Sequence, residues 1–221
     1  MEKRLFFIFL GTAAALLLSL VRRKKYGYSL LKVILTTVLF MSMAVIGALG
    51  MGILEGGMVG NISLYGSIFV IPVSIVVFCI FSKENTNKML DFFVPQICGG
   101  LAPVKLLCLS AGCCYGIKLF EKADGTIARF PSQIVELCAS LVIMLLFLYF
   151  EKKDLFVGKH YPIFLIVYGI SRFVLNSLRG ETSPFVWVFP AGHFWSIVAI
   201  TIGLLWLLLE QKEEPECEIT E

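Results

Sequence analysis

The sequence predicts an all-α, polytopic membrane protein with seven transmembrane helices, its N-terminus outside and its C-terminus cytoplasmic. Three observations carry this expectation. Hydrophobic residues make up 58% of the 221-residue chain and charged residues only 16%, with a mean hydropathy of +0.87. A soluble domain of this size needs far less apolar surface. Apolar windows of spanning length recur along the whole chain. Lysine and arginine fall unevenly on the two sets of connections, and positive charge collects on the cytoplasmic side. The net charge of +3 gives no ground for a nucleic-acid partner. Seven cysteines show neither a CxxC nor a Cys/His zinc spacing, so no metal and no cofactor are expected.

The windows are roughly 5–21, 29–54, 62–81, 89–111, 133–150, 162–178 and 193–209. The first follows Lys3 and Arg4 and runs into Arg22-Arg23-Lys24-Lys25. It lacks a small-x-small cleavage site and reads as a retained helix rather than a removed signal peptide. The second carries Gly47, Gly50 and Gly52, which favour close helix packing and a break before the membrane ends. The fourth contains Asp91, Pro95, Gly99, Gly100, Pro103 and Lys105, and so reads as two half-helices or a re-entrant piece. Residues 1–209 form a single membrane domain and 210–221 an acidic cytoplasmic tail. With the N-terminus outside, ten of the 19 basic residues fall inside, six outside and three within spans. The unusual segments then share the outer side. The inner connections SKENTNK and EKKDLFVGK read as ordinary solvated charge. No internal repeat relates the halves, which disfavours an inverted-repeat transporter.

Four segments have the residue types for chemistry. LEGGMVGNISLYGS, 54–67, pairs glycines before a polar turn and opens the third span with Tyr65. SAGCCYG, 110–116, makes a tight turn after Lys105. Its vicinal Cys113 and Cys114 read as a redox dithiol, a strained disulfide, a thiolate nucleophile or small packing residues, the last favoured for want of a resolving CxxC. RFPSQIVE, 129–136, reads as a helix start with Pro131 early and Ser132 as cap, placing Gln133 and Glu136 on one face below the surface. YGISRFVLNSLRGE, 168–181, puts Tyr168, Arg172, Asn176 and Arg179 along one helix face. Charge at membrane depth costs roughly 2.5–3.5 kcal/mol and usually serves function. Arg172 and Arg179 therefore point to an anion, of which lipid phosphate is the most abundant in a bilayer. The plainer alternative pairs them with Glu136 or Glu55 for assembly alone. His193, at the mouth of the last span, is either a general base or an interfacial residue.

In this order the four segments resemble the prolipoprotein diacylglyceryl transferase family, in the form with GCCYG. The resemblance spans residues 50 to 205. It implies a bacterial plasma-membrane enzyme of lipoprotein biosynthesis, acting at the outer leaflet. Such an enzyme moves the diacylglyceryl group of phosphatidylglycerol to the lipobox cysteine thiol of a preprolipoprotein and releases glycerol phosphate. Carried over by position, Arg172 and Arg179 bind the lipid phosphate, with Lys105 assisting. Glu136 and Tyr65 are the candidates for proton handling. Tyr168, Gln133 and Asn176 support and orient the arginines, and Gly112, Cys113, Cys114, Tyr115 and Gly116 shape the cavity. The nucleophile is the substrate's thiol, so Cys113 and Cys114 need no catalytic role. Several positions depart from the family pattern: Lys105 stands for an arginine, Leu107 and Cys108 for the glycine and asparagine that follow it, Tyr65 for a histidine and Asn176 for a glutamate. These replacements leave open a paralogue that binds anionic phospholipid without catalysis or with another acceptor.

Overall fold

The computed structural model describes residues 2–55, 62–112, 114–121, 127–180, 184–186 and 189–213. Among these, seven helices run in order: α1 Glu2–Tyr26, α2 Leu30–Leu54, α3 Leu64–Ser82, α4 Thr86–Ala111, α5 Ser132–Lys152, α6 His160–Ser177 and α7 Ala191–Glu213. Two short antiparallel hairpins, β1 Lys118–Glu121 with β2 Ile127–Arg129 and β3 Pro184–Val186 with β4 Phe189–Pro190, decorate one end. All helices but α6 are long and apolar enough to cross a membrane. In α6, His160, Arg172 and Asn176 dilute the apolar run because its polar face turns inward.

Local chemistry sets the helix ends. Ser29 caps α2 by accepting from Lys32 N, and Asn85 caps α4 by accepting from Lys88 N at 3.0 Å. Gly112 ends α4 in the left-handed region at φ 64°, where glycine carries no steric penalty. Two expectations are corrected here. α4 is one continuous helix with Pro95 and Pro103 inside it, not two half-helices or a re-entrant piece. It is also the most enclosed span, packed against α1, α3, α5 and α6. Its buried Asp91, Gln96 and Lys105 thus reach protein partners rather than lipid. α2 likewise runs unbroken through Gly47, Gly50 and Gly52.

The glycines of α2 divide by role. A Cβ on Gly47 would meet Gly66 O at 2.5 Å, and a Cβ on Gly66 would run into the Gly47 carbonyl. Here α2 and α3 touch backbone to backbone. Gly50 has open space. Gly47→Leu should therefore lower the thermal unfolding midpoint in detergent by several degrees, since overpacking costs about 1–3 kcal/mol. Gly50→Leu should leave it unchanged.

The end of the bundle formed by the α3–α4 and α5–α6 connections is not plain charge, contrary to expectation. Arg22 is buried and donates Nε to Glu151 Oε2 at 2.6 Å and Nη1 to Phe92 O at 2.6 Å and Gln96 Oε1 at 2.5 Å. It ties α1, α4 and α5 together. Asp91 accepts from Gly158 N at 2.5 Å and His160 N at 3.0 Å, placing its carboxylate on the first turn of α6. A cavity of about 460 Å³ lies beside these groups.

Candidate functional site

At the opposite end, a single carboxylate gathers three cations among the described residues. Glu136, 3% exposed on the first turns of α5, pairs through Oε2 with Lys105 Nζ of α4. Its Oε1 lies 2.5 Å from Arg172 Nη1 of α6 and 3.0 Å from Arg179 Nε. Arg179 Nη2 approaches Oε2 at 3.5 Å, so this guanidinium straddles both oxygens. The side chains of Lys105, Arg172 and Arg179 are 5%, 11% and 19% exposed. Among the described residues the three cations share this one carboxylate, in a place where charge is costly. Arg172 Nε is buried and has no hydrogen-bond partner among the described residues. A cavity of about 10 Å³, room for a single water, touches Lys105, Glu136, Tyr168 and Arg172.

Backbone contacts fasten the cysteine-rich turn over this cluster. Gly116 bridges Arg179 in antiparallel fashion. Gly180 N donates to Tyr115 O at 3.2 Å, Ile117 N to Leu178 O at 3.0 Å and Gly116 N to Phe130 O at 3.0 Å. A Cβ on Gly116 would stand 2.5 Å from Phe130 O, and one on Gly180 would stand 2.6 Å from Gly116 O. Only glycine permits that approach, which is why both positions are bare. Ser132 is not the cap of α5 as expected. Pro131 holds that position, and the Ser132 hydroxyl donates to Cys114 O at 2.5 Å, tying α5 to the same turn. Cys114 is exposed, with its Sγ 4.0 Å from Cys108 Sγ.

The predicted site residues thus fall into a centre and a flank. Lys105, Glu136, Arg172 and Arg179 meet directly; Tyr168 lines their cavity; Gln133 is buried one turn from Glu136. Gly112, Cys114, Tyr115 and Gly116 form the covering turn. Tyr65 flanks the ion cluster, within reach of the charges of Arg172 and Glu136: its ring meets Tyr168 edge-on at 6.0 Å and its hydroxyl lies 2.5 Å from Ser196 Oγ. Asn176 turns toward α7, with Nδ2 3.0 Å from His193 Nδ1. Of the two carboxylates considered as partners for the arginines, Glu136 fills the role; Glu55 accepts from Ser63 Oγ at 2.6 Å. Cys113, Gly56, Gly57, Glu181 and tail residues 214–221 lie outside the described residues. Sequence reading missed Arg22, Asp91, Gln96 and Glu151. Arg22 in particular sits in a basic run whose other members carry the same signal.

Fold and site together define a helical membrane protein whose polar centre, one carboxylate among three cations, lies beneath a turn fastened by backbone hydrogen bonds. The chain belongs to the prolipoprotein diacylglyceryl transferase family, whose sequence model matches residues 5–209. It is similar to the phosphatidylglycerol–prolipoprotein diacylglyceryl transferase of Clostridium tetani, 27% identical over 89% of this chain and 88% of that protein. It is also similar to phosphatidylglycerol–prolipoprotein diacylglyceryl transferase 2 of Clostridium perfringens, 26% identical over 90% and 87% of the two chains. The enzyme of that name from Finegoldia magna is 27% identical over 70% of this chain and 63% of its own.

Proposed function

We propose that this protein transfers the diacylglyceryl group of phosphatidylglycerol to the lipobox cysteine thiol of a preprolipoprotein, at the outer leaflet of the bacterial plasma membrane. One observation carries the reading furthest: among the described residues, a buried lysine and two largely enclosed arginines surround one carboxylate, with a guanidinium Nε lacking a partner among them. Such a centre is built to receive a second anion. The lipid phosphate enters beside Glu136, and Arg172, Arg179 and Lys105 take up the charge that develops as the thiol sulfur attacks the glyceryl carbon and the carbon–oxygen bond to phosphate breaks. The thiol proton leaves with the released glycerol phosphate. Arginine forks suit a phosphate in a water-poor site better than lysine does. Glu136 holds the cations apart and in register. Engaged by all three, it is poorly placed to take a proton, so it serves as a positioning residue rather than a base. The N-terminus lies outside and the tail in the cytoplasm, which puts the centre on the outer side.

A second reading has its own observation. Tyr65 and Asn176 stand where the family has a histidine and a glutamate, and both hydrogen-bond to α7. That arrangement favours a relative that holds anionic phospholipid and modifies another acceptor, or none. One experiment separates the two. The purified protein is incubated with labelled phosphatidylglycerol and a lipobox peptide. Label appearing on the peptide as a thioether, with glycerol phosphate released, supports transfer. Co-purifying phospholipid with no product after prolonged incubation supports the binding relative.

A further inference from the structure

We propose that Ser177, His193 and Asn176 form a nucleophilic triad that cleaves carboxylic esters of bilayer lipids, an activity separate from diacylglyceryl transfer. Ser177 Oγ lies 3.1 Å from His193 Nε2, and the other ring nitrogen, Nδ1, lies 3.0 Å from the Asn176 amide. Nucleophile, base and orienter thus stand in sequence within hydrogen-bond reach, the constellation by which such sites are recognised on unrelated folds.

The burial gradient runs the right way for that role. Asn176 is 3% exposed and packed against Gly192, where any side chain would collide with its amide. His193 is half-buried with Phe173 edge-on at 4.9 Å, and Ser177 is exposed. The orienter is locked, the base is held in one ring plane, and the hydroxyl faces the surroundings. The amide ends of Asn176 interchange by a half-turn. With its oxygen toward Nδ1, that nitrogen carries the hydrogen and Nε2 keeps its lone pair for the serine proton. Among the described residues the Ser177 hydroxyl has one other acceptor, Phe173 O, at the longer distance of 3.3 Å. His193 also sits in the first turn of α7, whose amide hydrogens have no acceptor within the helix.

Position on the bundle supplies the substrate class. Ser177 is the last residue of α6, on the same outward row as the exposed Phe173. It therefore faces away from the bundle at a helix end, and the proposal sets that end at the depth where bilayer lipids carry their ester carbonyls. In the reaction Ser177 Oγ attacks the carbonyl carbon while its proton passes to His193 Nε2. The bond from that carbon to the glyceryl oxygen breaks, and the leaving oxygen takes the proton. Water from the interface then attacks the acyl-serine, giving its proton through His193 back to Ser177 Oγ. A lysolipid and a fatty acid are the products.

The full chain, purified in mild detergent and also reconstituted into phosphatidylglycerol vesicles, tests this with an alkyl fluorophosphonate. The probe forms a serine–phosphorus bond as fluoride leaves. Mass spectrometry should find one adduct, on the peptide containing Ser177, and the vesicles should release fatty acid. His193→Gln should slow both at least tenfold, and Ser177→Ala should abolish both, with each variant's unfolding transition confirming a folded protein. A folded wild-type protein without an adduct at Ser177 overturns the proposal, as does an adduct rate unchanged in His193→Gln. Peptide labelling measured on the same preparation keeps the two activities distinct: transfer without the adduct sinks only the triad, and the adduct without transfer sinks only the reading of the ion cluster.

Discussion

Arg172→Ala is expected to lower diacylglyceryl transfer by about 10²–10³-fold, the usual cost of deleting one preorganised donor to a developing anion. The guanidinium is the more buried of the two arginines on α6 and its continuation, it has a buried Nε without a partner among the described residues, and it lines the cavity shared with Lys105, Glu136 and Tyr168. Its removal takes away both charge and fork. Arg172→Lys should recover part of the loss, because lysine keeps the charge and forfeits the bidentate geometry. Initial rates of peptide labelling over a range of phosphatidylglycerol content in mixed micelles give the comparison. Full activity in Arg172→Ala would mean that the phosphate rests on Lys105 and Arg179 alone, and the assignment made here would fall.

The second large effect falls on stability. Glu136→Gln keeps the shape of the side chain and removes the charge that three cations share. Breaking a buried pair from one side costs about 3–5 kcal/mol because the partner stays buried and uncompensated. Here three partners are stranded together. The variant should unfold well below the wild type in neutral detergent, read from the loss of helical signal on heating. Phosphatidylglycerol added to the micelles should raise the midpoint of the variant more than that of the wild type, since an anion entering the centre replaces the missing carboxylate. Equal shifts in both proteins would show that the lipid phosphate does not reach this cluster.

These two expectations rest on residues that were legible before any fold was known, and the reason is physical. Arg172 and Lys105 interrupt apolar runs, and an ion inside an apolar run has to be explained by something it meets. Periodicity put 168, 172, 176 and 179 on one helix face, but α6 ends at Ser177, so Arg179 reaches Glu136 from beyond the helix, and Asn176 turns toward His193 instead. The bare position Gly116 stood out as part of a compact turn. Other features gave no such signal. Arg22 lies in a run of four basic residues, and nothing local marks it as the one that turns inward onto Glu151 and Gln96. The prolines of α4 argued for a broken helix, yet it stays whole. Neighbouring helices enclose it on several sides, so tertiary packing outweighs local propensity.

By itself the sequence determined that this chain is a bundle of apolar helices, where those helices begin and end to within a few residues, and which segments carry charge where charge is costly. Hydropathy and periodicity are local properties, and the backbone must satisfy its own hydrogen bonds wherever water is scarce. Only the tertiary structure decided who meets whom: that Glu136 collects Lys105, Arg172 and Arg179, that Tyr65 and Asn176 turn toward α7, and that Gly116 hooks the turn onto Arg179. Those pairings join residues tens of positions apart. They depend on how helices are arranged around α4, which no window of sequence records.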